Sequence, residues 1–453
     1  HFQTEGFREN NDLKHDIYTL FGQSDLTESL SLQAEYRHRD TDRGDRRLQF
    51  DLDDFDPTLR DDIEEDVVRV GGRLTPAPGQ IGLASAIYAD REDRFGFGDG
   101  EVENERGTNV GQIEAQYLGT FGPLRLIAGA GGAVADSKRV ERFQDGSRRR
   151  RDDEITAADG YLTANLALTP TLDLSARVGY ADVEVKQGVN IERGGIDQVG
   201  MAGLTPAVGA IWRPLEALRL RAGAGRTIKR PFVANQTLQP TQVAGFNEQF
   251  DDLDGTRADW LGLAAEVRAS EAVRFGAEML LRRLARELAE EEDGVRFHKH
   301  DSQRDDRALV YLYWTPTERL AVSAELIGEH YSARERDNPE VLEVRTVSTP
   351  LELSYFMPSG WFATLGTAFV AQDVDLPGAE PGKKRDLDSH GVLVDLAAGY
   401  RLPKRRGIVA LQLANLLDRR LAFQDESFRT SREEVNPRFL PSRTFLATLT
   451  LNF

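Results

Sequence analysis

Three sets of side chains in this 453-residue chain are of a type and spacing that could do chemistry. His298-Lys299-His300 places two imidazoles two residues apart. That is the beginning of a transition-metal site, but no carboxylate framework accompanies it and the chain has no cysteine, so a solvated loop is the expected reading. Asp51-Leu52-Asp53-Asp54-Phe55-Asp56, followed by Asp61-Asp62, alternates carboxylates as calcium loops do, yet lacks the glycine and closing glutamate of an EF-hand. It reads as a charged loop, with structural calcium or bridging of lipopolysaccharide cations as the other uses of such a run. The third set is the largest: Glu114, Gln116, Asp173, Arg177, Arg219, Arg221, Glu266, Arg268, Arg274, Glu278, Glu325, Glu352 and Asp395 all sit between apolar neighbours at a spacing of two. Mixed charges on one face of a strand can pair with one another, hold an inserted domain by hydrogen bonds, or line a wet passage. No Ser/His or Asp/His set suited to nucleophilic or general-base chemistry stands out, so neither an enzyme nor a cofactor or resident metal is expected.

The elements that must carry those charges are strands. Leu172, Leu174, Ala176, Val178 and Tyr180 alternate with Asp173, Ser175, Arg177 and Gly179, and Leu218, Leu220, Ala222 and Ala224 alternate with Arg219, Arg221, Gly223 and Gly225. The chain ends on the same pattern, with Phe445, Ala447, Leu449, Leu451 and Phe453 apolar and Thr444, Thr448, Thr450 and Asn452 polar. A strand apolar on one face and polar on the other, ending on an aromatic residue, suits a barrel with lipid outside and water inside. An Arg or Lys facing lipid near the bilayer midplane costs roughly 2–4 kcal/mol, which assigns the Leu/Val/Ala parity outward and the charged parity to the lumen.

Short turns punctuate these segments, many of them with a proline: Pro76, Pro123, Pro170, Pro214, Pro316, Pro358 and Pro403, at steps of 42 to 47 residues where consecutive. Thr27-Glu28-Ser29 and Ala269-Ser270-Glu271 fill the gaps. Proline fixes φ and donates nothing to a ladder, so it belongs at strand ends. Nine turns with a strand on either side, plus the closing strand, give 19 strands. Bacterial single-chain barrels have an even number, so at least one strand is expected before His1 unless residues 2–10 form a short extra one. Tyr117, Tyr311, Tyr313, Trp314, Tyr355 and Trp361 lie near the turns, where an interfacial girdle belongs. A β-propeller shares the repeat length but would fit four short strands into it. Met279–Asp293 has helical propensity; the repeat makes Arg274–Arg283 strand and leaves a helical loop open for Leu284–Glu292.

Composition fits this reading once helices are set aside. Mean hydropathy is -0.46, 29% of residues are charged, and no run approaches the ~18 apolar residues of a spanning helix. A barrel tolerates this because only alternate strand residues meet lipid. A net charge of -18 and pI near 5.0 argue against nucleic acid and, through acidic outer loops, against a phosphate-selective pore. The chain opens on His1-Phe2-Gln3 without an initiator Met or an export leader, which is expected to lie upstream or to have been removed. A lumen of about 20 strands is too wide for its own side chains to fill, so water, a plug or inserted loops must occupy it. That demand favours transport over catalysis.

Three stretches resemble the C-terminal barrel of TonB-dependent outer-membrane receptors. Leu413-Ala414-Asn415-Leu416-Leu417-Asp418-Arg419 resembles the family's Asn-Leu-x-Asp-Arg/Lys signature before the last outer loop, with Leu421 where an aromatic residue is usual. Pro441-Ser442-Arg443 resembles its Pro-Gly-Arg entry to the last strand, and Gly6-Phe7-Arg8-Glu9-Asn10 an early outer loop. A weaker likeness runs from Thr227-Ile228-Lys229-Arg230-Pro231 to Leu238-Gln239-Pro240. The resemblance implies one antiparallel transmembrane β-barrel of about 20–22 strands over residues 1–453, in the bacterial outer membrane, with short periplasmic turns and long charged extracellular loops. It also implies a plug upstream, energy from TonB, and ligand uptake. Phe445, Leu449, Leu451 and Phe453 would be read by the barrel-assembly machinery, and lipid and lipopolysaccharide would surround the wall. The alternative is a passive porin or a polymer-secretion channel tethered to a periplasmic helical-repeat scaffold. On face pattern alone, Leu220→Arg should block assembly and Arg221→Leu should be tolerated.

Overall fold

The computed structural model describes residues 1–6, 8–45, 55–97, 102–189, 195–231, 236–248, 252, 254–292, 295–333, 341–378, 383–421 and 442–451. The alternating segments form strands in chain order: β1 (Phe2–Thr4), β2 (Leu13–Asp25), β3 (Leu30–Arg43), β4 (Arg60–Ala77), β5 (Gln80–Phe97), β6 (Val102–Phe121), β7 (Leu124–Phe143) and β8 (Arg148–Thr169). They continue with β9 (Leu172–Val189), β10 (Gly195–Leu204), β11 (Ala207–Leu215), β12 (Leu218–Ile228), the small β13 (Gln242–Val243) and β14 (Phe246–Asn247), β15 (Arg257–Arg268) and β16 (Val273–Glu292). The last are β17 (Val295–Thr317), β18 (Leu320–Ala333), β19 (Glu343–Phe356), β20 (Trp361–Pro377), β21 (Lys384–Leu402), β22 (Gly407–Ala414) and β23 (Thr444–Leu451). All but β13 and β14 belong to one antiparallel 21-stranded sheet in which consecutive strands are hydrogen-bonded, except that β10 and β11 both pair with β9, the arrangement of an outer-membrane β-barrel. β10 and β11 are one spanning strand interrupted at Pro206: Leu204 lies opposite Tyr180 and Ala207 opposite Arg177, in unbroken register. With those two joined and the three-residue β1 set aside, 19 spanning strands remain, the number expected from the turns. Among the described residues β2 is paired on its far side only at Leu13–His15, and β23 has no partner beyond β22.

Strand register sorts the side chains as the alternation requires. Ile113 is 68% exposed on the outer face, whereas Gln112 beside it is 2% exposed on the inner one. Register puts Phe445, Leu449 and Leu451 of β23 opposite Leu413, Val409 and Gly407 of β22, on the same face as Leu411; Phe453 lies outside the described residues. The prolines sit where the ladder shifts. Pro76, Pro214 and Pro316 each fall inside a register break, at Leu74/Ala77, Trp212/Leu215 and Trp314/Thr317, so the missing N–H removes no ladder bond.

Two expectations change. Leu284–Glu292 is strand, not a helical loop, because β16 pairs with β17 from Val273 opposite Trp314 to Glu292 opposite Val295. Cross-strand hydrogen bonding overrides intrinsic helix preference there. Tyr311 and Tyr313 face the lumen rather than a lipid girdle: Tyr311 covers Gly276 on the inner wall, and Tyr313 donates to Glu325. Tyr117, Trp314, Tyr355 and Trp361 do lie on the outer parity. At the long-loop end Tyr18, Tyr36 and Tyr88 are exposed on that face, with the Tyr36 and Tyr88 hydroxyls bonded to Asp66 (2.7 Å) and Asn109 (2.8 Å). An apolar ring with a wet hydroxyl suits the membrane–water boundary. Among the described residues no helix is long and apolar enough to cross a membrane.

Adjacent residues on β22 test this parity. Leu411→Arg, on the outer face, should lose about 2–4 kcal/mol of stability in lipid, and Gln412→Arg, on the inner face, almost none. Heat-modifiable migration of membrane-extracted protein measures both, and equal behaviour would contradict the assignment.

Candidate functional site

The charges of the inner wall converge on a segment of the chain itself. β12 leads into residues 229–256 and β15 follows, and the two ends are tied by Lys229 N–H to Thr256 C=O and Gly255 N–H to Lys229 C=O, both 2.8 Å. Inside the segment β13 and β14 form a hairpin around Ala244 and Gly245, both in the left-handed region (φ 50° and 82°). Gly245 suits that turn because it has no Cβ to clash. The hairpin tip packs Phe246, 1% exposed, with Val243, Ala244, Ala207, Trp260 and Leu280. The wall makes room with glycine: a Cβ at Gly262 would meet the Phe246 ring at 2.5 Å, and one at Gly209 would meet the Ala244 Cβ at 2.6 Å.

Polar clamps hold the rest of the segment. Arg177 of β9 and Glu248 form a two-pronged ion pair with their side chains 1% and 0% exposed. Arg230 lies between Glu114 of β6 and Asp159 of β8, bonded to the first and 3.0 Å from the second. Glu114 also accepts the Thr237 hydroxyl (2.6 Å) and the Leu238 N–H (2.9 Å), while the Gln112 amide donates to Gln236 C=O (2.9 Å). Arg221 joins wall and hairpin: it donates to Glu266 (2.8 Å) and Glu278 (2.7 Å), and its guanidinium stacks 4.7 Å from the Phe246 ring centre. Arg282 bridges Asp252 and Asp305 farther up.

Of the residues picked out by alternation, Glu114, Gln116, Arg177, Arg219, Arg221, Glu266 and Glu278 come together here, Gln116 donating to Leu238 C=O and Arg219 pairing with Glu266 at 3.2 Å. The others lie apart. Asp173 pairs with Arg213 (2.6 Å), Glu325 accepts the Tyr313 hydroxyl (3.1 Å), and Glu352 accepts the Ser354 hydroxyl (3.1 Å). Arg268 and Arg274 oppose each other at the short-turn end of the β15–β16 ladder. Asp395 accepts the Asn415 N–H (2.7 Å) in a knot that joins the end of β22 to the start of β23. In that knot Asn415 exchanges hydrogen bonds with Arg419, Asp418 accepts the Arg443 N–H, and Arg443 donates to Leu416 C=O. Leu421 packs with Ala368, Val370 and Leu393. Asp61, in the acidic run, pairs with Arg43; Asp51–Asp54 and the His298 and His300 side chains lie outside what is described. His38, Glu64 and Asp66 form the one cluster with metal-ligand spacing among the described residues. Arg230, Glu248, Asp159 and Phe246 were missed, since three of them lie off the alternating segments or in a loop; only the weak likeness at 227–240 hinted at the segment.

A wide antiparallel sheet with an apolar outer belt and a charged, partly occupied interior defines an outer-membrane transport barrel. The family profile described as TonB dependent receptor-like, beta-barrel matches residues 2–259, more than half the chain, and the protein belongs to that family. No curated protein matches the sequence significantly. Among solved structures it is similar to the unliganded ferric citrate transporter FecA (TM-score 0.72, 14% identity, 99% of this chain and 71% of that one). It is also similar to the copper transporter OprC (0.71, 10%, 100% and 77%) and the FrpB iron transporter from Neisseria meningitidis (0.72, 10%, 98% and 74%). Identities this low establish the fold.

Arg221→Leu would leave Glu278 without its arginine and Glu266 with Arg219 alone and would uncover the Phe246 ring face, so it should destabilise the barrel, contrary to the tolerance expected from face pattern alone. Arg177→Ala should cost about 3–5 kcal/mol by leaving Glu248 buried and unpaired, and Arg177→Ala with Glu248→Ala should cost less than Arg177→Ala alone. Denaturant unfolding in detergent, together with tryptic cleavage at Lys229, measures the cycle.

Proposed function

We propose that the protein takes up a ligand captured by its extracellular loops and passes it through the barrel lumen, with TonB driving a plug domain encoded upstream of His1. The observation that supports this most is the occupied lumen. An open pore needs a clear water path, whereas here a segment of the wall's own chain is seated inward on glycine and tied by buried ion pairs. Moving such a segment takes work, which suits an energised transporter. Family membership agrees, and the neighbours named above are transporters, not enzymes. The passive-pore and polymer-channel readings draw no comparable support.

The mechanism follows from the geometry. Strands of up to 23 residues exceed the roughly 9–11 needed to cross, so their far halves rise above the membrane as a walled vestibule where ligand first binds. Below it the described residues of the inserted segment, 229–231, 236–248, 252 and 254–256, narrow the passage. Displacing it requires the Arg177–Glu248 and Arg230–Glu114 pairs to separate and find water or ligand instead.

Cells carrying the full-length protein should accumulate its ligand only with an energised inner membrane. Ligand binding that survives a protonophore while accumulation stops is the expected result; accumulation by simple diffusion, insensitive to the protonophore and to loss of TonB, would contradict it.

A further inference from the structure

Register places three arginines side by side on the inner wall of the vestibule. Arg106 of β6 lies directly opposite Arg139 of β7, and Arg139 directly opposite Arg151 of β8. Neighbouring strands are about 4.8 Å apart, so three guanidiniums start within about 10 Å of one another. Like charges in such positions repel and weaken a sheet, so their retention calls for a compensating partner.

The wall supplies only part of it. Arg106 Nε donates to the Ser137 hydroxyl (2.8 Å), Arg139 Nε to Asn104 (2.9 Å), and Arg151 Nε to Asp153 (2.8 Å). Glu141 lies 3.2 Å from Arg139 Nε, and Asp93, opposite Arg106 on β5, is taken up by the Nε–Nη2 edge of Arg91. Each of these contacts of Arg106, Arg139 and Arg151 thus uses Nε. Among the described residues the terminal Nη groups of all three make no hydrogen bond, and Arg106 meets no carboxylate. Arg106 is exposed, and the side chains of Arg139 and Arg151 are 45% and 34% exposed. Arginine held at Nε presents its outer amino groups as a fixed donor fork, which is the geometry that recognises carboxylate and phosphate.

We propose that Arg106, Arg139 and Arg151 form an anion-recognition strip in the vestibule, and that the ligand carries clustered anionic oxygens, as carboxylates or as phosphates. The proposal rests on the uptake reading for its biological setting but not for its chemistry. The strip lies about eight residues up β6 from Glu114, so it would be met before the inserted segment.

The test is isothermal titration of the full-length protein in detergent with tricarballylate and, separately, tripolyphosphate, and with spermine as a polycation. Either anion should bind and spermine should not bind at this site; whichever anion binds more tightly assigns the source of the oxygens. Arg106→Gln should weaken binding about tenfold, and Arg106→Gln, Arg139→Gln and Arg151→Gln together should abolish it. Arg139→Lys, which keeps the charge and loses the fork, should fall between. Unchanged heat-modifiable migration establishes that each variant is folded. Wild type that binds neither anion, or a folded triple variant that binds as wild type does, overturns the proposal. A binding difference without energised uptake would sink the uptake reading and leave the strip standing.

Discussion

In hydrocarbon a backbone N–H or C=O without a partner costs several kcal/mol, and the rest of this structure depends on how the chain meets that constraint. Among the described residues no helix is long and apolar enough to cross; the backbone groups are paired across strands, and cross-strand pairing forces a period of two. From that period come the outer belt of Leu, Val and aromatic residues and, one residue along each strand, the charged inner wall. The same constraint explains the prolines at the register breaks and the register kept across the interruption at Pro206.

An inner wall obtained in this way has a second problem, which is its width. A sheet of this many strands encloses more space than its inward side chains can fill. Part of the chain therefore returns to the lumen. Where the hairpin of the inserted segment is apolar the wall is glycine and tryptophan, and where the segment is charged the wall answers with Arg177, Glu114 and Asp159. Burying such pairs is a weak source of stability, because desolvation offsets attraction, but it is a strong way to fix one position of the segment over others. A transport barrel needs that combination of a definite closed arrangement and contacts that polar groups can replace.

Much of the fold was legible in the sequence because alternation is a local signal: Leu220 and Arg221 declare opposite faces without any knowledge of their partners. The strand number was legible for the same reason, through turns that recur at similar spacing. The helical reading of Leu284–Glu292 failed because propensity is local while the β16–β17 ladder is not. The site was legible only in half. Wall residues such as Glu114 and Arg177 announce themselves by parity, but their partners Arg230 and Glu248 sit in a segment with no period, and nothing local says that it turns inward. The arginine strip is invisible for a related reason, since Arg106, Arg139 and Arg151 become neighbours only once three strands are in register.

The central claim is that the lumen is occupied and gated rather than open. Conductance of the full-length protein in planar bilayers tests it most directly. The account predicts a silent membrane that conducts only when the proposed plug is deleted and the inserted segment is also released by Arg177→Ala and Arg230→Ala. A large, steady current from the intact protein would contradict it.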